Sequence, residues 1–145
     1  MSEARLGQLA GFIRELGERA IFHFDISDFD SRVKLQKYVY LARNYGFNHE
    51  YKFNLYIRGP YSKELAKDYY SITDETVNYV RPRLNEDFYR IINGKNTRWL
   101  ELAATYCMIR ENNPNLDNDI LVRYVRMAKD YARSEEVLKI IRDLG

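Results

Sequence analysis

One segment departs clearly from a mostly helical pattern and limits the folds open to this chain. Apolar residues recur at every third or fourth position along most of the chain, which is typical of helices with one buried face. Within YKFNLYIR, residues 51–58, they alternate with polar ones instead, as in a strand with one buried face. Gly59 and Pro60 follow directly and predict the end of that strand. The alternating apolar residues, which we expect to be buried, are Tyr51, Phe53, Leu55 and Ile57.

Capping residues and the helical period together predict the remaining elements. Ser, Thr, Asn and Asp accept hydrogen bonds from the free N–H groups at the start of a helix. Predicted helix starts are Ser2, the stretch from Asp28 to Ser31, Ser62, Asn85, Thr97 and Ser134, and a further apolar stripe runs from Ile120 to Ala128. Residues 22–26 alternate and predict a short strand or an extended connector. Residues 76–81 predict a second strand paired with the first, or a helical turn that Pro82 ends.

Length and composition favour a single domain, residues 1–145. A chain of 145 residues can bury a core without disulfides, and its one cysteine cannot form an intrachain bridge. No apolar run approaches the roughly 20 residues that span a bilayer. We therefore expect a mostly α protein with a small β-hairpin or two-stranded sheet, in the α+β class, located in the cytoplasm and without a membrane partner.

Positive charge is concentrated in one block of the sequence. Residues 1–30 carry three basic and six acidic residues, whereas residues 31–67 carry eight basic and two acidic ones. A basic face of this kind attracts phosphate backbones. The alternative is a solvated face whose cations pair with acids from elsewhere in the fold, notably from residues 1–30. The basic residues of the block are Arg32, Lys34, Lys37, Arg43, Lys52, Arg58, Lys63 and Lys67.

The usual signatures of enzymes and metal sites are missing from the sequence. His23, Asp25, Asp28 and Asp30 have the types of metal ligands, but helix capping by Asp28 and Asp30 explains them as well. Cys107 lies among apolar residues and is expected to be buried rather than nucleophilic. Tyr40 and Tyr56 could stack on bases or lie at the edge of the core. We therefore expect no catalytic residue, no cofactor and no metal.

The short stretch GPYS has a structural explanation at each position. Gly59 frees the backbone, Pro60 removes a ladder donor, Tyr61 covers adjoining apolar surface and Ser62 caps the next helix. A phosphate-binding loop would need more glycines and a lysine within the loop. The pattern thus predicts a corner between a basic strand and a basic helix.

Three segments carry a resemblance to known families. KLQKYVYLA at 34–42, YKFNLYIRGPYSKEL at 51–65 and WLELAATYCMIREN at 99–112 resemble the YwgA-like family of uncharacterised prokaryotic proteins over roughly residues 31–145. The KLQK and Gly-Pro pairing is also similar to the Panacea antitoxin domain, although Tyr61 and Ser62 depart from the valine that usually follows there. The resemblance implies a helical, winged-helix-like regulatory or interaction module and supplies no catalytic residue.

Two functions remain open from the sequence. The first is DNA binding of winged-helix type through the basic block, with the helix after Ser62 or the hairpin entering a groove. The second is an antitoxin-like or adaptor-like module that binds a protein partner, with Gly59, Pro60 and Tyr61 shaping a groove beside the helix of Leu35. The sequence leaves the oligomeric state open, and a homo-oligomer is compatible with either function.

Overall fold

The computed structural model describes residues 2–72 and 78–145, and it confirms the α+β class. Within these residues most of the chain is helical, with one two-stranded antiparallel sheet. None of the described helices combines the length and apolar character needed to cross a bilayer. The elements are α1 (Ser2–Arg19), α2 (Phe29–Ala42), β1 (Asn54–Tyr56), β2 (Gly59–Tyr61), α3 (Lys63–Ser71), α4 (Glu86–Ile92), α5 (Thr97–Asn112), α6 (Asn118–Ala128) and α7 (Ser134–Leu144).

Local capping chemistry explains where most helices begin. Asp28 accepts the Ser31 N–H before α2, and Ser62 accepts the Leu65 N–H before α3, as predicted. Before α5 the cap is Asn96 rather than Thr97, which is the first helical residue. Ser134 likewise opens α7 from inside the helix instead of capping it. Each of these two predictions was wrong by one position.

The segment predicted to be a single strand contains only β1 and the turn of the hairpin, and β2 follows it at Gly59–Tyr61. β1 and β2 pair with Asn54 opposite Tyr61, Leu55 opposite Pro60 and Tyr56 opposite Gly59. Ile57 and Arg58 therefore make the turn, and the left-handed φ of +89° falls on Gly59, as in a turn closed by a glycine bulge. The prediction that Gly59 and Pro60 end the strand was wrong, because they begin the returning one. The predicted burial of Leu55 and Ile57 was also wrong, since both are exposed.

A segment without regular secondary structure lies where the second strand was predicted. Of residues 76–81, positions 76 and 77 lie outside the described residues, and residues 78–81 form no strand. This segment crosses α1, where the Val80 N–H donates to Gly7 O at 3.0 Å. A Cβ at Gly7 would lie 2.5 Å from Asn78 O and one at Gly11 would lie 1.8 Å from Val80 O, so both glycines are needed for this approach. Residues 22–26 form no strand and connect α1 to α2, so the strand, the first of the two predicted alternatives, was wrong.

Helix α5 lies at the centre of the described structure. It packs against α2, α6, α7 and β2, and residues 100–109 are buried along their whole length. Because β2 also packs against α2, the hairpin sits between α2 and α5. On the other side of the core, Phe12 of α1 stacks on Phe47 with ring centroids 4.4 Å apart. The core thus supports a hairpin whose two strands have only three residues each.

We expect Gly11→Ala to destabilise the protein and Gly17→Ala to be neutral or stabilising. Alanine favours a helix by about 1 kcal/mol over glycine, but at Gly11 its Cβ would collide with the Val80 carbonyl. Overpacking of this kind costs about 1–3 kcal/mol. A Cβ at Gly17 meets nothing closer than His23 Nδ1 at 3.4 Å, which makes this residue a matched control. Urea unfolding of both variants checks this, and equal stability would contradict the close packing of the segment on α1.

Candidate interaction site

The two short motifs of the sequence contact each other directly in the fold. Gln36 of α2 accepts the Ser62 N–H with its Oε1 at 2.8 Å and donates to Ser62 O with its Nε2 at 2.9 Å. The next residue, Lys37, donates from Nζ to Pro60 O at 2.8 Å. All three bonds are buried, where an unpaired backbone group costs about 1–3 kcal/mol. The KLQK stretch therefore fixes the hairpin to α2.

Lys37 is an interior residue and takes no part in a surface charge pattern. Its exposed fraction is 1 %, so the prediction that it contacts a phosphate was wrong. Desolvation lowers the pKa of Lys37 to about 7; the nearby Glu101 carboxylate opposes this shift, and the charges of Lys129 and Arg58 add to it. Burial favours the neutral amine, which can still donate the hydrogen bond to Pro60.

A second lysine holds the turn of the hairpin from the side of α6. Lys129, which follows α6, is buried and donates from Nζ to the carbonyl oxygen of Ile57. Burial also lowers the pKa of Lys129, with the Glu101 carboxylate opposing the shift. Arg58 reaches back from the turn to Glu101, where Nε and Oε1 are 3.0 Å apart. The carbonyls of Ile57 and Pro60 thus each accept from the side chain of a buried lysine.

The glycine of the motif allows β2 to lie against α5. A Cβ at Gly59 would lie 3.1 Å from Thr105 Oγ1 and 3.4 Å from both Glu101 O and Lys37 Cε. Gly59 and Pro60 are buried, whereas Tyr61 is half-buried and meets Tyr56 edge-on with ring centroids 5.5 Å apart. Gly59 therefore has both a steric and a conformational reason to be glycine.

Three consecutive apolar residues at the end of the hairpin are exposed. The exposed fraction is 43 % for Leu55, 43 % for Tyr56 and 90 % for Ile57. Leu55 and Tyr56 are neighbours in β1 and so point to opposite faces of the hairpin, while Ile57 lies in the turn. We call residues 55–57 the hairpin tip.

The other predicted phosphate-binding residues are dispersed, and several are already paired. Arg32 donates to Ile26 O at 2.6 Å, Lys34 lies 3.8 Å from Asp30, and Arg43 pairs with Glu111 of α5. Arg32 and Arg43 are about 16 Å apart along α2. The acids that pair with Arg43 and Arg58 come from α5 and not from residues 1–30. Three lysines make no ion pair with any described residue: Lys52, Lys63 and Lys67.

A separate groove lies between α1, the 20–26 connector and α3. It encloses about 790 Å³ and is lined by apolar side chains, with Arg14, Glu18 and His23 as polar groups. The groove borders Ile72, which precedes the segment outside the described residues. Arg14 also stacks over the Tyr79 ring at 4.2 Å.

Two of the metal-ligand candidates accept hydrogen bonds from neighbouring residues, and the nucleophile candidate is buried. Asp28 caps α2, and Asp25 accepts from the Ser27 N–H at 3.0 Å and the Ser27 hydroxyl at 2.7 Å. Within residues 2–72 and 78–145, no three potential ligands converge on one point. Burial raises the pKa of the Cys107 thiol to about 11, which disfavours the reactive thiolate. Tyr40 is buried and donates to Glu111 at 2.9 Å, and Tyr56 lies at the hairpin tip.

Sequence reasoning missed Gln36, Glu101 and Lys129 as the groups beneath the hairpin. Glu101 interrupts the apolar run WLELAATYC, and a charge within such a run indicates a buried partner. Gln36 lies inside the KLQK motif that carries the family resemblance. The position of Lys129 at the end of α6 gave no comparable signal.

The fold and site define a mostly helical α+β protein with an exposed β-hairpin that buried side chains hold in place by hydrogen bonds. No family model, curated protein or solved structure matches the chain. The YwgA-like resemblance and the winged-helix-like arrangement therefore stay predictions.

We expect the free energy of unfolding to rise with pH between about pH 7 and 9 through Lys37. The unfolded lysine keeps its proton up to about pH 10.4, whereas burial lowers the folded pKa to about 7. The unfolded state then binds more protons than the folded state, so stability increases by up to about 1.4 kcal/mol per pH unit. Urea unfolding across this range should show a shallower rise for Lys37→Met. Parallel profiles for the two proteins would contradict the burial of Lys37.

Proposed function

We propose that this protein is a non-enzymatic module that binds a protein partner through the hairpin tip. The observation that carries the proposal is the contrast between the buried side of the hairpin and its exposed end. Gln36, Lys37 and Lys129 hold its buried side in place, while Leu55, Tyr56 and Ile57 around its end are exposed to solvent.

A fastened apolar tip is suited to recognition for two reasons. Burying exposed apolar surface at an interface contributes about 25 cal/mol per Å². A preorganised element also loses little conformational freedom on binding, which is one of the main costs of association. Of the three side chains, Ile57 has the largest exposed fraction to bury in an interface, at 90 %.

The test is capture of binding partners from a nuclease-treated lysate of cells that encode the protein. Wild-type protein and the Ile21→Ser variant should recover the same stoichiometric protein partner, and Ile57→Ser should recover at least about tenfold less. Ile21 is a matched control because it is also an exposed isoleucine, at 81 %.

Two results would contradict the proposal. One is the absence of any stoichiometric protein partner of the wild-type protein. The other is a partner that Ile57→Ser retains in full, which would place the binding surface elsewhere on the molecule.

DNA binding is the second candidate function, and the three unpaired lysines are the observation that favours it. Lys52 precedes β1, and Lys63 and Lys67 lie one turn apart on the exposed face of α3, so all three are available to phosphates. This proposal expects duplex DNA to bind at low salt, with affinity falling steeply as salt rises. Fluorescence anisotropy should show that the combined change of the three lysines to glutamate abolishes binding. No binding by the wild-type protein at low salt would end this candidate.

A further inference from the structure

The pairing of the hairpin determines which backbone groups of β1 point outward. Proline has no N–H, so Pro60 cannot donate to its partner Leu55 across the ladder. In an antiparallel ladder, hydrogen-bonded and non-hydrogen-bonded pairs alternate. Leu55 and Pro60 therefore form a non-hydrogen-bonded pair, and their backbone groups point away from each other.

The two outward sides have different surroundings. On the side of β2, the Pro60 carbonyl accepts from Lys37 inside the protein. On the side of β1, the N–H and C=O of Leu55 have no hydrogen-bond partner among the described residues. Leu55 and both of its neighbours are exposed, so nothing in the described structure covers this edge. A free, exposed strand edge is a template for another strand.

We propose that β1 accepts an extended, acidic peptide segment of a partner protein as a third strand of the sheet. The inference rests on the proposed binding function and deepens it by naming the mode of binding. Main-chain hydrogen bonds to Leu55 would supply register, and pockets beside alternate side chains would supply specificity. Ile57 would contact the partner from the turn that follows β1.

Charge identifies the kind of segment that fits. Lys52 and Lys63 beside the hairpin make no ion pair with any described residue, although Glu64 accepts the Lys52 N–H at 3.0 Å and Glu50 precedes the segment. Arg58 is paired with Glu101, so the two lysines that flank the hairpin remain for a partner. The register places Lys52 and Lys63 together at the open end of the hairpin, so aspartate or glutamate at that end of the added strand would face them.

The same charges disfavour a second copy of this chain as the added strand. Two antiparallel copies of β1 centred on Leu55 would place Lys52 of one opposite Arg58 of the other. Like charges directly opposite each other destabilise a strand pair.

The experiment uses display of random peptides of about ten residues against the full chain. We expect the enriched peptides to combine alternating apolar residues with aspartate or glutamate. Their affinities are then measured for wild-type protein, Leu55→Pro and Leu55→Val. Leu55→Pro removes an outward N–H and no ladder donor, but it also fixes φ and replaces the leucine side chain; it should weaken binding about tenfold. Leu55→Val keeps the N–H and an apolar side chain, so it should bind nearly as well as wild type.

Amide exchange in the wild-type complex gives a second measurement that requires no variant. Strand addition should slow exchange of the Leu55 amide, which points to solvent in the free protein. An unchanged Leu55 amide in a saturated complex would overturn the inference even if Leu55→Pro failed to fold.

The remaining outcomes separate this inference from the proposed function. Peptides that Leu55→Pro binds as tightly as wild type, but Ile57→Ser does not bind, would overturn strand addition and leave the proposed function standing. Enrichment of peptides without acidic residues, a wild-type dimer that Leu55→Pro dissociates, or enrichment of no peptide would each overturn the inference. The lysate capture with Ile57→Ser and Ile21→Ser tests the proposed function separately.

Discussion

The hairpin depends on the polar contacts that two adjacent residues of α2 make with it. Three-residue strands joined by a tight turn are not stable alone in water. Gln36 satisfies both backbone groups of Ser62, and Lys37 satisfies the carbonyl of Pro60. Since these groups are buried, loss of a partner would cost more than the bond itself contributes. The same contacts fix Ser62, which caps α3, so the start of that helix depends on them as well.

This arrangement divides the hairpin into a structural side and an exposed side. Gly59 and Pro60 face α2 and α5. The polar side chains beneath them bind backbone carbonyls of the hairpin and the Arg58 side chain. Lys37 and Lys129 therefore hold backbone carbonyls of the hairpin, and Glu101 holds Arg58. What remains for a partner is the apolar tip, the free edge of β1 and the flanking lysines. The proposed function and the inferred mode of binding both follow from this division.

Helix caps could be predicted from the sequence, whereas the burial of a charged side chain could not. The caps Asp28 and Ser62 depend on neighbouring residues only, so their prediction succeeded. The turn was misplaced because Gly-Pro usually ends a strand, whereas here the Pro60 carbonyl finds a partner in Lys37. Lys37 itself was assigned to the surface because lysine is rarely buried. Lys37 is next to Gln36 in the sequence, but its role in holding the hairpin becomes visible only in the fold, where Pro60 and Ser62 lie beside these two residues.

Hydrogen exchange of the Ser62 amide tests the central claim most directly. This N–H is buried and donates to Gln36 Oε1 at 2.8 Å, so it should exchange only when the whole protein unfolds. In Gln36→Leu it should exchange much faster relative to global unfolding, while Gln8→Leu, the same change on the exposed face of α1, should behave as wild type. Fast exchange of the wild-type Ser62 amide, or no effect of Gln36→Leu, would contradict the claim that α2 holds the hairpin in place.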